Sequence, residues 1–452
     1  MLLIIPQYKL WFSYPHPGIL YLASSLREIG ENVELIDGGI LTEREYFRKI
    51  EDALKRHQKI GITVSVAHVA SAVKTAKFIR SKNPEKKIIW GGPYASSQFE
   101  MITNELADII VIGEGELILN AICKEEKLSQ VPSIIYFENG ERKINLRHSY
   151  INDLNKLPFP AYDLIDFNAY ENPGLKPVAQ IISTRGCPYQ CINCTKIIHG
   201  NLYRKRSPEN TVEEISLLID RYKIREIHFW DDNLTLDIDR VKKICDLILK
   251  KGINKKVRFA VPAGVRADIY DEEMFSMMKK ANFYLLSVAV ESGVQKVIDK
   301  IGKKLDLKKV PENLGKLEKH GFRILLYFMM GFPFEDELDM KNTANFVAKL
   351  PGHHLSCFAV VPLPGSKLFE EWKTVPDFKD YTYVNYDNPI PKARSSEEEI
   401  KLKKNIRLAY LKFYSPRRIL KTIRLMLKEG SFLNDLRFAL KNAFKLFLIG
   451  HK

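Results

Sequence analysis

Between Val178 and Trp372 a short apolar run followed by a helical pattern recurs six times, and this repeat constrains the fold more than any other feature of the chain. The runs are Val178–Ser183, Glu226–Trp230, Arg258–Val261, Tyr284–Val290, Arg323–Met330 and Leu355–Val361. Strands joined through crossover helices lie parallel, and the connections are right-handed, so successive units curl in one direction. Six units are too few for a closed eight-stranded barrel; an open partial (β/α) barrel is expected. In βα barrels the chemistry sits on the loops after the strand C-termini. The unusual residues fall there: three cysteines after the first strand, Asp231-Asp232-Asn233 after the second, and Gly264 with Arg266 after the third. Glu291-Ser292-Gly293, Gly331-Phe332-Pro333 and Pro362-Leu363-Pro364-Gly365 follow the last three.

Residues 1–125 alternate in the same manner. Strands are expected at Leu2–Ile5, Val33–Ile36, Lys59–Val64, Lys87–Trp90 and Ile109–Ile112, with helices at Ile19–Glu28, Glu43–Arg56, Ala70–Lys82 and Phe99–Glu105. This predicts a doubly wound parallel sheet with helices on both faces. Its ligand edge, beyond the strand C-termini, holds Ser65, Gly91-Gly92-Pro93 and Gly113-Glu114-Gly115-Glu116. A nicotinamide site is excluded, because Pro6-Gln7-Tyr8-Lys9 stands where a G-x-G-x-x-G would follow the first strand. Asn139-Gly140 between Ser133–Phe137 and Glu141–Asn145 is a hairpin signal. A proline-bearing connector follows, so the expected units are 1–150, a linker at 151–175, the barrel at 176–375 and a basic helical region at 376–452.

The cysteines after the first barrel strand read Cys187-Pro188-Tyr189-Gln190-Cys191-Ile192-Asn193-Cys194. Such spacing folds round one soft metal centre. A closed zinc site takes four protein ligands, which would enlist His199; otherwise three thiols leave one position open, as an iron–sulfur site does. A disulfide cluster does not suit 6 Cys in 452 residues without a secretory signal. Cys123, Cys245 and Cys357 lie in apolar segments and read as buried thiols.

Ser183-Thr184-Arg185-Gly186-Cys187 through Cys194 resembles the cluster loop of the radical S-adenosylmethionine (SAM) enzymes, although Asn193 stands where that family usually has an aromatic residue. The resemblance implies a four-iron four-sulfur cluster on Cys187, Cys191 and Cys194, with SAM on the open iron. It further implies that Asp231, Asp232 and Asn233 accept from the methionyl ammonium. Arg266 suits the methionyl carboxylate as a fixed cation, and Glu291 the ribose hydroxyls, whereas Asp237 reads as a helix N-cap. Pro15-His16-Pro17-Gly18 with Leu20-Tyr21-Leu22-Ala23 and the later serine and glycine pair resemble the cobalamin-binding domain fused to many of these enzymes. That resemblance implies cobalamin against Ser65, Gly91 and Gly92, near Glu114, and, without an Asp-x-His-x-x-Gly motif, no histidine below the cobalt; His16 and His68 read as solvated or core residues. The implied activity is methylation of an unactivated carbon on an apolar, lipid- or tetrapyrrole-like substrate. Radical ring formation or carbon–carbon coupling is the alternative, and both need an external flavodoxin- or ferredoxin-type electron donor.

The net charge of +15 is concentrated: residues 401–452 carry 14 Lys and Arg against Glu429 and Asp435. A Tyr- and Pro-rich stretch at 376–394 is expected to cover the open side of the barrel, and Ser396 with Glu399 to form a capping box opening a helix. Further on, Leu433, Leu436, Leu440, Phe444, Phe447 and Leu448 recur at helical spacing beside Arg437, Lys441 and Lys445. Such a basic amphipathic helix suits an anionic membrane surface, the rival being a helical cap packed on the barrel. No apolar run approaches the roughly 20 residues of a membrane span, so a cytoplasmic protein, peripheral at the inner face of the membrane, is expected. Outside enzymes, the reading is a zinc-bearing RNA-binding protein, but no RNA-recognition motif is present.

Overall fold

The computed structural model describes residues 1–8, 12–147, 150–372 and 395–437. The first sheet comprises β1 (Leu2–Ile5), β2 (Glu34–Asp37), β3 (Lys59–Thr63), β4 (Lys87–Gly91), β5 (Ile109–Val111), β6 (Ile134–Glu138) and β7 (Glu141–Asn145), in the order β2-β1-β3-β4-β5-β6-β7. The first five are parallel, and the hairpin β6–β7 extends the sheet antiparallel. Its turn takes Asn139 and Gly140 at φ 52° and 80°, as a tight hairpin requires. Side chains alternate across the strands. Leu3 and Ile5 join the core under α1 (Pro17–Glu28) and α5 (Glu116–Cys123), while Leu2 and Ile4 join the one under α2 (Glu43–Leu54) and α3 (Val69–Lys82).

The helix expected at Phe99–Glu105 is not there. Instead α4 spans Pro93–Ser97, and only a 3-10 turn, Phe99–Met101, follows. Pro93 occupies the first turn, where its missing N–H costs nothing, so the helix opens directly on the glycine pair. Ile102 and Leu106 fill the core from a loop. The connector at 151–175 is a packed seam: Ala161 N donates to Leu20 O at 3.1 Å, and the Tyr170 hydroxyl to Asp37 at 2.8 Å.

The second sheet is all parallel and runs in chain order: β8 (Val178–Ile181), β11 (Glu226–Phe229), β12 (Arg258–Arg266), β13 (Phe283–Glu291), β14 (Arg323–Met330) and β15 (His354–Ala359). A two-residue ribbon, β9 (Thr184–Arg185) with β10 (Arg204–Lys205), closes the cysteine loop. Helices α6 (Pro208–Tyr222), α7 (Ile238–Lys250), α8 (Glu272–Lys280), α9 (Gln295–Ile301), α10 (Val310–Lys319) and α11 (Glu337–Lys349) fill the crossovers, and α12 (Lys367–Glu371) follows the last strand. The third strand is longer than expected. A bulge between Val261 and Val265 carries pairing on, so Gly264 and Arg266 lie in β12, not after it. Phe229, Phe259 and Phe283 stack in the buried core, with centroids 5.5 and 4.9 Å apart in successive contacts with Phe283. Each such pair contributes about 0.5–1.5 kcal/mol beyond burial.

The tail begins with α13 (Ser396–Phe413) and α14 (Pro416–Lys428). The capping box is Ser395 with Glu398, one residue before the expected pair, because the run of three glutamates satisfies the Ser-x-x-Glu pattern in both registers. Leu402, Ala409 and Phe413 of α13 are buried in the barrel core. Arg323, at the base of β14, is clamped by Glu429, Ser431 and Asp435 (2.8 Å to the last). The expected cover at 376–394 and the amphipathic stretch beyond residue 437 lie outside the described residues.

Candidate functional site

One cavity of about 460 Å³ joins the C-terminal edge of the first sheet to the cysteine loop of the second. On the first sheet, Thr63, Gly91, Gly92, Gly113 and Glu114 line it; from the loop come Cys187, Cys194 and Lys196, with Asp232 beside them. Gly92 is dictated by the backbone: at φ +95° a Cβ would meet the Val64 carbonyl at 2.9 Å. Gly91 is roomier, its nearest neighbour being the Val111 Cβ at 3.7 Å. Ser65 is not in the lining, since its hydroxyl pairs with His68 Nδ1 at 3.0 Å. Burial pulls His68 down to about 3. His16, expected as a solvated or core side chain, stands in the cavity wall, 3.4 Å from the Tyr8 hydroxyl. Thr63 escaped sequence reasoning because nothing local distinguishes a wall residue from its neighbours.

The cysteine loop is held from below. Asp231, fully buried, accepts from Ser183 N (3.1 Å), Ser183 Oγ (2.8 Å) and Thr184 Oγ1 (2.6 Å). Burial raises its carboxyl, although these donors and Arg240 oppose the shift. Asp232 accepts from Gly186 N at 2.8 Å. Gly186 has no alternative, because at φ +80° a Cβ would lie 2.3 Å from the Leu202 carbonyl. Ile192 pairs with Ile301 O (2.9 Å) and Leu368 N (2.8 Å), fixing the loop to the barrel on its other side. The three thiols are free. Burial raises Cys191, against the nearby Lys303 ammonium.

The other expected residues divide. Asn233 is buried, its Oδ1 without a partner among the described residues. Glu291, at φ +76°, accepts from Lys303 Nζ at 2.8 Å. Asp237 caps α7 by accepting from Arg240 N at 3.0 Å, as expected. Arg266 is committed elsewhere: it binds Asp268 through two nitrogens (2.9 and 2.7 Å) and the carbonyls of Lys303 and Lys304 (2.8 and 2.9 Å). Its guanidinium lies 3.9 Å from the Tyr189 ring centroid, so it braces the loop. Glu114 does the same from the first sheet, and its carboxylate is wholly engaged by Arg185, Arg204, His199 and Ile151 N.

The donor set fits an iron–sulfur cluster. Among the described residues no three His, Cys, Asp or Glu side chains are grouped to hold a single ion, and His199 Nδ1 is 2.9 Å from Glu114. A cubane is wider than one ion and takes its thiolates at separate corners. Beside the loop, Lys196 Nζ and Asn193 Oδ1 are buried without partners among the described residues, polar atoms suited to a bound polar group.

Residues 181–347 match the model of the Radical SAM superfamily, and residues 10–123 that of the B12 binding domain. Fold and site thus define a radical SAM enzyme, and the chain belongs to those that carry a B12 binding domain; its cofactors are a four-iron four-sulfur cluster, SAM and cobalamin. It is similar to the uncharacterized methyltransferase PH0819 of Pyrococcus horikoshii, 28% identical over 424 residues that cover 90% of each chain. It is also 24% identical over 397 residues to the anaerobic magnesium-protoporphyrin IX monomethyl ester cyclase of Cereibacter sphaeroides, covering 85% of this chain and 64% of the cyclase. The fold resembles the cobalamin-dependent SAM radical enzyme OxsB, solved with aqua-cobalamin and SAM bound, at a TM-score of 0.72 and 18% identity over 96% of this chain and 72% of that one.

Proposed function

We propose that this enzyme methylates an unactivated carbon of an apolar, lipid- or tetrapyrrole-like substrate. The observation that carries the reading is the single cavity joining the glycine cradle to the cysteine loop, since two cofactors that open into one space can act on one carbon. When bound, cluster and SAM supply the radical that removes hydrogen, and cobalamin supplies the methyl group. Cys187, Cys191 and Cys194 hold the cluster, with electrons from a flavodoxin- or ferredoxin-type donor. Asp232 and Asn233 accept from the methionyl ammonium, and Glu291 from the ribose. With Arg266 engaged by Asp268, Lys196 is the cation for the methionyl carboxylate. The cradle at Thr63, Gly91 and Gly92 holds the cobalamin tail.

The tail supports a substrate drawn from a membrane. Glu429 and Asp435, the acids among residues 401–452, turn inward to Arg323, so the outward charge of α14 is cationic. Ile419, Leu420, Leu427 and Leu433 are exposed beside Arg417, Arg424 and Lys428. No helix among the described residues is long and apolar enough to cross a membrane, so the contact is peripheral.

SAM carrying a labelled methyl group decides the reaction. Incubated anaerobically with reductant, cobalamin and candidate lipid or tetrapyrrole extracts, the enzyme is expected to place label in product. Ring formation, which the similarity to the cyclase favours, would instead yield 5′-deoxyadenosine and an unlabelled product lacking hydrogen.

A further inference from the structure

We propose that Glu114 is a positioning residue whose buried carboxylate ties the cluster loop to the cobalamin sheet and so fixes the separation of the two cofactors. Glu114 follows β5 on the first sheet, yet its side-chain partners belong to the second unit. Its side chain is 1% exposed, and those of Arg185 and Arg204 are each 4% exposed. Oε1 lies 3.2 Å from Arg185 Nη1, 2.9 Å from Arg204 Nη2 and 2.9 Å from His199 Nδ1. Oε2 accepts from Arg204 Nη1 at 2.8 Å and Ile151 N at 2.9 Å. A carboxylate offers about four lone-pair sites, so none remains for a cofactor. Burial alone would raise this carboxyl; His199, Arg204 and Arg185 reverse the shift and hold it ionised.

The partners stand on both sides of the cysteines. Arg185 is two residues before Cys187, and His199 and Arg204 follow Cys194. Arg185 also grips Glu116 at 2.6 Å, and its guanidinium lies 5.2 Å from the Tyr21 ring centroid on α1. The two ends of the loop are therefore pinned to one point on the other sheet. Such a device matters where two cofactors serve one carbon, because a misplacement of about 1 Å can cost on the order of 100-fold in rate.

The inference needs both cofactors bound, not methyl transfer, and its test reads distance. In protein loaded with cob(II)alamin and reduced to the paramagnetic cluster, pulsed electron paramagnetic resonance measures the separation of the two spins. Wild type is expected to give one narrow distribution. Glu114→Gln, and Glu114→Asp with its shorter reach, are expected to broaden or shift it while iron, sulfide and cobalamin per chain stay at wild-type levels. His199→Gln, which leaves both arginines in place, is expected to broaden it less and carries the test if Glu114→Gln does not fold. An unchanged narrow distribution in the folded variants overturns the proposal. So does loss of cobalamin alone from Glu114→Gln, which would make Glu114 a cofactor ligand. Wild type that binds no cobalamin would sink this inference and the methyl-transfer reading together, whereas an unlabelled product would sink only the latter.

Discussion

At the scale of single residues, adjacent positions in the site carry different burdens. Gly91 and Gly92 are neighbours, but a side chain at Gly92 collides with its own sheet, while Gly91 has ordinary clearance and opens on the cavity. Gly92→Ala is therefore expected to destabilise the domain by about 1–3 kcal/mol, through strain at positive φ and the close carbonyl, as read by denaturant unfolding. Gly91→Val should instead leave unfolding nearly unchanged and lower cobalamin bound per chain; retention of full cobalamin would place the cofactor tail elsewhere. The thiols admit a sharper outcome. Replacing Cys191 with Ala should abolish both the cluster absorbance and SAM cleavage, since the cysteines outside the loop, Cys123, Cys245 and Cys357, are all buried in the packed core. Anaerobic assay of 5′-deoxyadenosine checks this, and continued cleavage would refute the cluster assignment.

At the scale of elements, an open barrel must deal with its edges. An edge strand presents unpaired N–H groups that invite pairing with other chains. Here α13 lies against β15, and two tyrosine hydroxyls take the place of a neighbouring strand: Tyr414 accepts from Leu355 N at 3.1 Å and Tyr410 from Cys357 N at 3.0 Å. The rings are themselves stacked, 6.3 Å apart at 10°. Tyr410→Phe or Tyr414→Phe removes the acceptor and leaves a largely buried N–H unpaired, at a cost of about 1–3 kcal/mol. Hydrogen exchange of the Leu355 and Cys357 amides should quicken accordingly; unchanged protection would mean that α13 merely covers the edge. Arg418 closes another exposed end, donating to Ala348 O and Leu350 O where α11 terminates (3.2 and 2.8 Å).

At the scale of the whole molecule, the tail presents one face to the barrel and another to solvent. Its inward face is structural, so deleting it would strip Arg323 of Glu429 and Asp435 and leave a buried charge unpaired. Surface substitutions are the cleaner probe. Reversing Arg417, Arg424 and Lys428 to Glu should abolish salt-sensitive sedimentation with anionic liposomes, each cation contributing on the order of 1 kcal/mol near anionic lipid. Sedimentation unaffected by the reversal, or none from wild type at low salt, would leave the tail as packing alone. What the sequence by itself determined was whatever is written in local pattern. The six strand–helix units, the Asn139-Gly140 hairpin and the clustered thiols each depend on neighbours a few residues away, so periodicity and spacing were enough. What only the tertiary structure decided was which charges are free. Arg266 suited a carboxylate on paper but is spent on Asp268 and the Lys303 and Lys304 carbonyls. Glu114 lay at the ligand edge but meets Arg204 from 90 positions along the chain. The loop that carries Ile102 and Leu106 into the core likewise depends on packing. The partners of a buried polar group are chosen by how sheets pack, and no local pattern records that choice.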